Sequence, residues 1–161
     1  MKRTLFFLFL VAIIGIPTFA NNSDTIQVVM SSITKTNKKA MNTIKTEFRR
    51  NKYPYKVEFS RGVESADPSK YAAVVLLSTD SPDGVEPSMR DFLNKQSDKS
   101  PYILIALEKG TGRIFLDKQP AVAQQLGVDA LSAATTYGPR KAVEMQHSWI
   151  AEVVNIVKGR S

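Results

Sequence analysis

Apolar runs separated by polar segments follow one another from residue 26 onward, and they predict the strands of a sheet. The runs occupy residues 26–31, 71–77 and 102–107, with an alternating run at 55–59 and a weaker one at 128–134. The first three are apolar nearly throughout, which is typical of strands buried on both faces of a parallel sheet. The alternation at 55–59 indicates an edge strand with one solvent-facing side.

The segments between these runs carry apolar residues at helical spacing. Residues 37–50 show it most clearly, with one stripe formed by Ala40, Met41, Ile44 and Phe48. Further helices are predicted at residues 87–96, 120–126 and 138–158. Only the segment 62–70 is polar where a second crossover helix would be expected. Strands that alternate with helices predict an open α/β sheet covered on both faces, with ligands at the carboxyl ends of the strands.

The first twenty residues have the pattern of a secretory signal peptide. The basic pair Lys2-Arg3 precedes an apolar run at residues 5–16, and small and polar residues surround Ala20. The run is shorter than the ~20 residues that a membrane-spanning helix needs, so cleavage after Ala20 is favoured over an uncleaved anchor. We therefore expect a signal peptide over residues 1–20, a domain over residues 21–161, and a periplasmic or secreted mature protein with no membrane span.

The charge balance is basic, with 22 Lys and Arg against 15 Asp and Glu and a formal net charge of +7, of which Lys2 and Arg3 supply two. This surplus favours an anionic ligand, an acidic partner or the envelope surface, and an ordinary solvated surface is the alternative. Export argues against a nucleic-acid partner. The chain has no cysteine, which excludes disulfides, thiol catalysis and thiolate metal sites.

The loop after the first predicted strand is crowded with hydrogen-bonding side chains. Backbone N–H groups and hydroxyls at the start of a helix form a ready site for an anion. The groups that could donate here are Ser32, Thr34, Thr36 and Asn37, and Lys35 or Lys38 could add positive charge. Ordinary capping of the helix by Thr36 or Asn37 explains the same residues equally well.

Two segments resemble the flavodoxin family. Ser32-Ile33-Thr34-Lys35-Thr36-Asn37 is similar to the family's phosphate loop, Ser-x-Thr-Gly-Asn-Thr, with Lys35 at the glycine position. Pro87-Ser-Met-Arg-Asp-Phe92-Leu93 resembles the helix that follows the third strand. As a pattern, the resemblance covers most of the chain after residue 20. It implies a three-layer α/β sandwich with a five-stranded parallel sheet in the order 2-1-3-4-5.

The resemblance also implies a ligand, FMN, bound without a covalent bond for electron transfer with a redox partner protein. Its phosphate would be held by Ser32, Thr34, Lys35, Thr36 and Asn37. Its ring would be bordered by Ser78, Thr79, Asp80, Gly110, Thr111 and Gly112. The loops at 78–84 and 108–113 contain no aromatic residue to stack on a flavin, although Phe115 lies just beyond. The alternatives are another small phosphate-bearing or anionic ligand, or a cofactor-free binding or interaction module.

Other motifs are weaker. The segment 129–136 resembles the Asp-x-x-Ser-Gly-Ala-Thr motif of exported FMN-binding domains, which implies covalent FMN on Thr135 as a minor alternative to a buried fifth strand. His147 is the only histidine and has no metal-ligand spacing around it. No nucleophile elbow or Walker loop is present. The sequence therefore predicts no catalytic residue and no metal ligand, and any activity would be that of an electron-transfer flavoprotein.

Overall fold

A computed structural model describes residues 24–79, 85–108, 116–117, 121–134 and 139–160 of the chain. Strands and helices alternate along these residues. The elements are β1 (Thr25–Met30), α1 (Lys35–Asn51), β2 (Lys56–Arg61), a 3₁₀ turn (Val63–Ser65), β3 (Ala73–Thr79), α2 (Pro87–Asn94), β4 (Tyr102–Glu108), β5 (Leu116–Asp117), α3 (Ala121–Leu126), β6 (Asp129–Ala134) and α4 (Pro139–Arg160). No helix among the described residues is long and apolar enough to cross a membrane.

The strands form one sheet in the order β2-β1-β3-β4-β6-β5. The first five are mutually parallel, which confirms the predicted order 2-1-3-4-5, with β6 as the fifth strand. β2 lies at an edge, as its alternating pattern predicted. The short strand β5 is an addition: it pairs antiparallel with β6, Leu116 opposite Ala133 and Asp117 opposite Ser132.

Each face of the sheet is covered by a separate apolar cluster. Side chains such as Val28, Val75 and Ile105 pack under α1 and α4, which contribute Ile44 and Ile150. On the opposite face, α2 and α3 contribute the buried side chains Met89, Leu93 and Leu126. Because successive strand residues point to opposite faces, nearly continuous apolar strands supply both clusters at once.

The connection from β2 to β3 contains only the 3₁₀ turn and no α-helix, in agreement with its polar sequence. A buried glutamine of β1, Gln27, fastens this connection to the sheet. Its Nε2 donates to the hydroxyl of Ser60 at 2.9 Å and to the carbonyl of Ser65 at 2.8 Å. Its Oε1 accepts from the N–H of Asp67 at 3.0 Å. Both ends of the amide are thus hydrogen-bonded. These bonds hold the connection against the sheet, where a crossover helix would use apolar packing.

The third strand differs from its predicted bounds. The sequence pattern predicted residues 71–77, whereas β3 runs from Ala73 to Thr79. The ladder with β1 begins at Ala73, opposite Ile26, so Tyr71 is buried without belonging to the strand. At the other end, Ser78 and Thr79 pair with β4. Backbone pairing carries the strand two residues beyond the apolar run, and both residues therefore lie in the strand rather than in the loop.

Candidate functional site

The site begins where β1 ends and α1 starts, at the carboxyl edge of the sheet. Thr34 is the N-cap of α1, with extended backbone at φ −88° and ψ 171°. Its Oγ1 accepts from the N–H of Asn37 at 3.1 Å, and its carbonyl accepts from the N–H of Lys38 at 3.0 Å. Thr34 therefore caps the helix. The sequence predicted Thr36 or Asn37 as the cap, because it placed the helix start at residue 37, two residues too late.

The first turn of α1 leaves two donors open. The N–H groups of Lys35 and Thr36 have no hydrogen-bond partner among the described residues, as expected for the first positions of a helix. Thr34 and Lys35 are exposed and Thr36 is half-exposed. No acidic residue lies in this turn, so the positive end of the helix dipole is not neutralised there by a carboxylate.

Asn37 is turned inward. Its side chain is 0% exposed, its Nδ2 donates to the carbonyl of Ser32 at 2.6 Å, and its Oδ1 accepts from the hydroxyl of Thr79 at 2.6 Å. The amide therefore ties the loop after β1 to the end of β3. Both ends of the side chain are used within the protein, so Asn37 shapes the loop rather than facing the solvent.

A carboxylate that the sequence pattern did not single out completes this edge. Glu86 immediately precedes Pro87, the first residue of α2. Its Oε2 accepts from the hydroxyl of Ser31, its Oε1 accepts from the N–H of Thr79 at 3.2 Å, and its own N–H donates to the hydroxyl of Ser78 at 2.8 Å. The sequence offered one signal for Glu86, namely an acidic residue directly before a proline that starts a helix. That signal does not identify its partner, because Ser31 lies 55 residues away in sequence.

The structure thus gathers part of the predicted site and leaves part outside the described residues. Ser32 to Asn37 and the pair Ser78 and Thr79 lie together at the ends of β1 and β3. Ser78 is 0% exposed and Thr79 is 6% exposed, because their polar groups face Glu86 and Asn37. Outside the described residues lie Asp80, Gly110, Thr111 and Gly112, together with Thr135 and residues 1–20.

The electrostatics of this edge are two-sided. The loop and first turn of α1 offer hydroxyls, two N–H groups and the ammonium groups of Lys35 and Lys38, which suit an anion. Near the end of β3, the Glu86 carboxylate already accepts hydrogen bonds from the hydroxyl of Ser31 and the N–H of Thr79. No group of three or more His, Asp and Glu side chains that could hold a metal occurs among the described residues.

A concavity lies at the opposite, amino-terminal edge of the sheet. This open groove of about 870 Å³ runs past the starts of β4 and β6. Its cations are bound to the protein itself: Lys99 Nζ donates to the carbonyl of Leu126 at 2.7 Å, and Arg160 pairs with Asp129 and donates to the carbonyl of Tyr102 at 3.1 Å. The Arg160 contacts fasten the C-terminal turn of α4 to the sheet, and the Lys99 contact joins the end of α3 to the segment before β4.

Comparison with known proteins rests on shape, because no protein-family model matches the chain and no curated protein matches its sequence. A flavodoxin from Streptococcus pneumoniae TIGR4 superposes with a TM-score of 0.51 over 81% of this chain and 98% of its own, at 12% identity. Oxidised Flavodoxin 2 from Bacillus cereus superposes with a TM-score of 0.50 over 85% of this chain and 99% of its own, also at 12% identity.

The chain has a flavodoxin-like fold. The rubredoxin oxygen:oxidoreductase of Desulfovibrio gigas also matches, with a TM-score of 0.54 and 12% identity over 85% of this chain, but this chain spans only 37% of that protein. Likeness at this level of identity establishes the flavodoxin-like architecture alone. The chemistry carried out there has to be argued from the residues of this chain.

Proposed function

We propose that this flavodoxin-like protein is exported and binds FMN without a covalent bond, for electron transfer with a redox partner outside the cytoplasm. One observation carries the proposal: the first turn of α1 presents the open N–H groups of Lys35 and Thr36, and this turn contains no acidic residue. This is the arrangement that a phosphate needs at a helix N-terminus. The solved flavodoxins that share the fold support FMN as the phosphate-bearing ligand.

The residues present fit the phosphate end of FMN. Ser32 and Thr34 supply hydroxyls, and Lys35 supplies a positive charge at the exposed start of α1. Asn37 holds the loop in place through the Ser32 carbonyl and Thr79. When bound, FMN supplies the electron-carrying flavin, while the protein binds and orients it. Lys35 replaces the glycine of the flavodoxin loop, so we expect a weaker phosphate contact and a lower affinity.

The decisive experiment is a titration of the purified, processed protein with FMN, followed by quenching of flavin fluorescence. We expect saturable binding with a micromolar dissociation constant, and weaker binding of riboflavin, which lacks the phosphate. Thr36→Val removes a hydroxyl at the start of α1 and should weaken FMN binding. Thr46→Val should not, because Thr46 lies nearly three turns further along the helix and its hydroxyl donates to the Asn42 carbonyl. No binding at high micromolar FMN would sink the proposal.

The same preparation tests the related alternatives. Colour that survives denaturation would favour covalent FMN through Thr135, and Thr135→Ala should then remove it. Stabilisation by inorganic phosphate without FMN binding would favour another phosphate-bearing ligand. Export is tested separately by sequencing the N-terminus of the mature protein, which we expect to start at Asn21.

A cofactor-free binding module is the second candidate, and a specific observation favours it. Ser78 and Thr79, the described residues on the ring side, are buried and bonded to Glu86 and Asn37. The polar groups at the end of β3 are thus already hydrogen-bonded within the protein. If neither FMN nor phosphate alters the stability of the protein, this candidate replaces the first.

A further inference from the structure

Basic side chains line the solvent-facing side of α1. Every basic residue of the helix and of its C-cap is exposed, and each is separated from the next by one to six positions: Lys35, Lys38, Lys39, Lys45, Arg49, Arg50 and Lys52. We call this surface the basic stripe. The apolar side of the same helix is buried against the sheet through Ala40 and Ile44. The helix therefore presents its cations on the side away from Ala40 and Ile44.

The spacing concentrates this charge. At about 100° per residue, the six cations within α1 fall inside an arc of roughly 140°, along a helix of about 25 Å. The helix has a single acid, Glu47, which is only 4% exposed and accepts a hydrogen bond from Asn51 at 2.9 Å. The stripe is therefore continuous and contains no negative side chain.

These cations have few contacts with the rest of the fold. None of them forms an ion pair with an acid among the described residues; Lys45 lies over the ring of Phe59, 5.2 Å from its centroid. The opposite side of the sheet is different, because α2 presents Asp91 beside Arg90 and is followed by Lys95. The stripe is thus a concentration of positive charge on α1 that the described residues of α2 do not share.

We infer that the basic stripe docks the protein on the surface of a bilayer that contains anionic lipids. A protein partner would be expected to meet aromatic or other large anchors at the centre of its interface. The stripe offers none, since Asn42 and Thr46 are the residues between its cations. Lipid headgroups attract Lys and Arg by charge alone. The apolar side of α1 is already buried, so the helix rests on the headgroups and does not insert.

The test uses co-sedimentation of the complete mature protein with vesicles. It compares binding to phosphatidylcholine vesicles that contain phosphatidylglycerol with binding to vesicles that do not. We expect binding only to the anionic vesicles, and release by high salt. Each cation near such a surface is worth roughly five-fold in affinity. The triple variant Lys39→Gln, Arg49→Gln, Arg50→Gln should therefore bind on the order of 100-fold more weakly. It leaves Lys35 and Lys38 at the phosphate loop unchanged.

The matched control removes three cations elsewhere: Lys70→Gln, Arg90→Gln, Lys95→Gln. It has the same net charge as the triple variant, and any binding by a retained N-terminal segment is common to both. We expect it to lose less than five-fold. Equal losses in the two variants would show an effect of net charge alone and overturn the inference. Binding to polyglutamate but not to the anionic vesicles would also overturn it and point to an acidic protein.

Discussion

Two buried amide side chains, Gln27 in β1 and Asn37 in α1, show how similar chemistry serves different purposes in this protein. Both are almost fully buried, and both use their donor and acceptor ends within the chain. Gln27 joins β1 to the connection between β2 and β3, where a crossover helix is missing. Asn37 joins the loop after β1 to the end of β3, at the edge where flavodoxin-like proteins bind ligands.

The difference lies in what surrounds each amide. The partners of Gln27 are half-buried residues of β2 and the connection, Ser60, Ser65 and Asp67. Beside Asn37, in contrast, lie Ile33, which is 50% exposed, and the open N–H groups of Lys35 and Thr36. A buried polar residue therefore indicates a constraint on the fold, and only the exposure of its neighbours indicates a binding site. Four predictions test this distinction.

Replacing Gln27 should have the largest effect on stability and none on ligand binding. Gln27→Leu leaves the carbonyl of Ser65 and the N–H of Asp67 without their buried partner, which should lower the free energy of unfolding by about 3 kcal/mol. Urea denaturation measures this loss. Gln124→Leu, at an exposed glutamine of α3, is the control and should change little. A loss below about 1 kcal/mol for Gln27→Leu would show that the connection is held by other contacts.

Replacing Asn37 should affect both stability and binding. Asn37→Ala removes the bonds to Ser32 and Thr79 and should cost about 2 kcal/mol in the free energy of unfolding. Because the loop is then released, we expect the dissociation constant for FMN to rise by about ten-fold, or ~1.4 kcal/mol. Fluorescence titration below the unfolding transition checks it. Unchanged affinity at reduced stability would make Asn37 equivalent to Gln27 and break the comparison.

Removing the helix cap should have a smaller effect. Thr34→Ala deletes the oxygen that accepts from the N–H of Asn37 and should cost about 1 kcal/mol. Thr34→Ser keeps that oxygen and should restore most of the stability, as measured by thermal unfolding. If the Ser variant is as unstable as the Ala variant, packing of the methyl group rather than capping holds this turn.

The smallest effect concerns pH and the far end of the connection that Gln27 anchors. Tyr71 donates to Glu58 at 2.7 Å, and this hydrogen bond, together with burial, raises the pKa of Tyr71 above its ordinary value. The folded protein therefore holds this proton more tightly than the unfolded chain. Its contribution is complete below about pH 10 and is lost as the pH rises through the raised pKa.

The unfolding midpoint should accordingly fall as the pH rises above about 10, and the fall should be less steep for Tyr71→Phe. Tyr102, whose pKa is raised chiefly by burial, contributes in the same direction and accounts for part of the remaining slope in the variant. An unchanged slope in Tyr71→Phe would remove Tyr71 from the alkaline titration.

The sequence was sufficient for much of the fold because the fold depends on patterns within single segments. Neighbouring residues predicted β1 from its apolar run and α1 from its apolar stripe. In the same way, the polar sequence of residues 62–70 agreed with a connection that has no α-helix. The end of β3 was not predictable in this way, since Ser78 and Thr79 join the strand through backbone pairing with β4.

The candidate site was predicted less completely, because its polar contacts join distant parts of the chain. The loop residues were identified by their type, but the inward orientation of Asn37 depends on Thr79, 42 positions away. Glu86 was missed altogether, since nothing next to it in sequence indicates its bond to Ser31. Gln27 was not singled out from the sequence either, since its partners lie 33 to 40 positions away.

The two-residue strand β5 has a consequence for how the sheet ends. A parallel sheet leaves unpaired N–H and C=O groups along its outer strands, and such borders invite a second chain to add on. Here β5 runs against the direction of β6 and covers it at Ser132 and Ala133. At the other border, β2 carries the exposed charges of Lys56, Glu58 and Arg61. The short border strand on one side and the exposed charges on the other are both features that hinder strand addition.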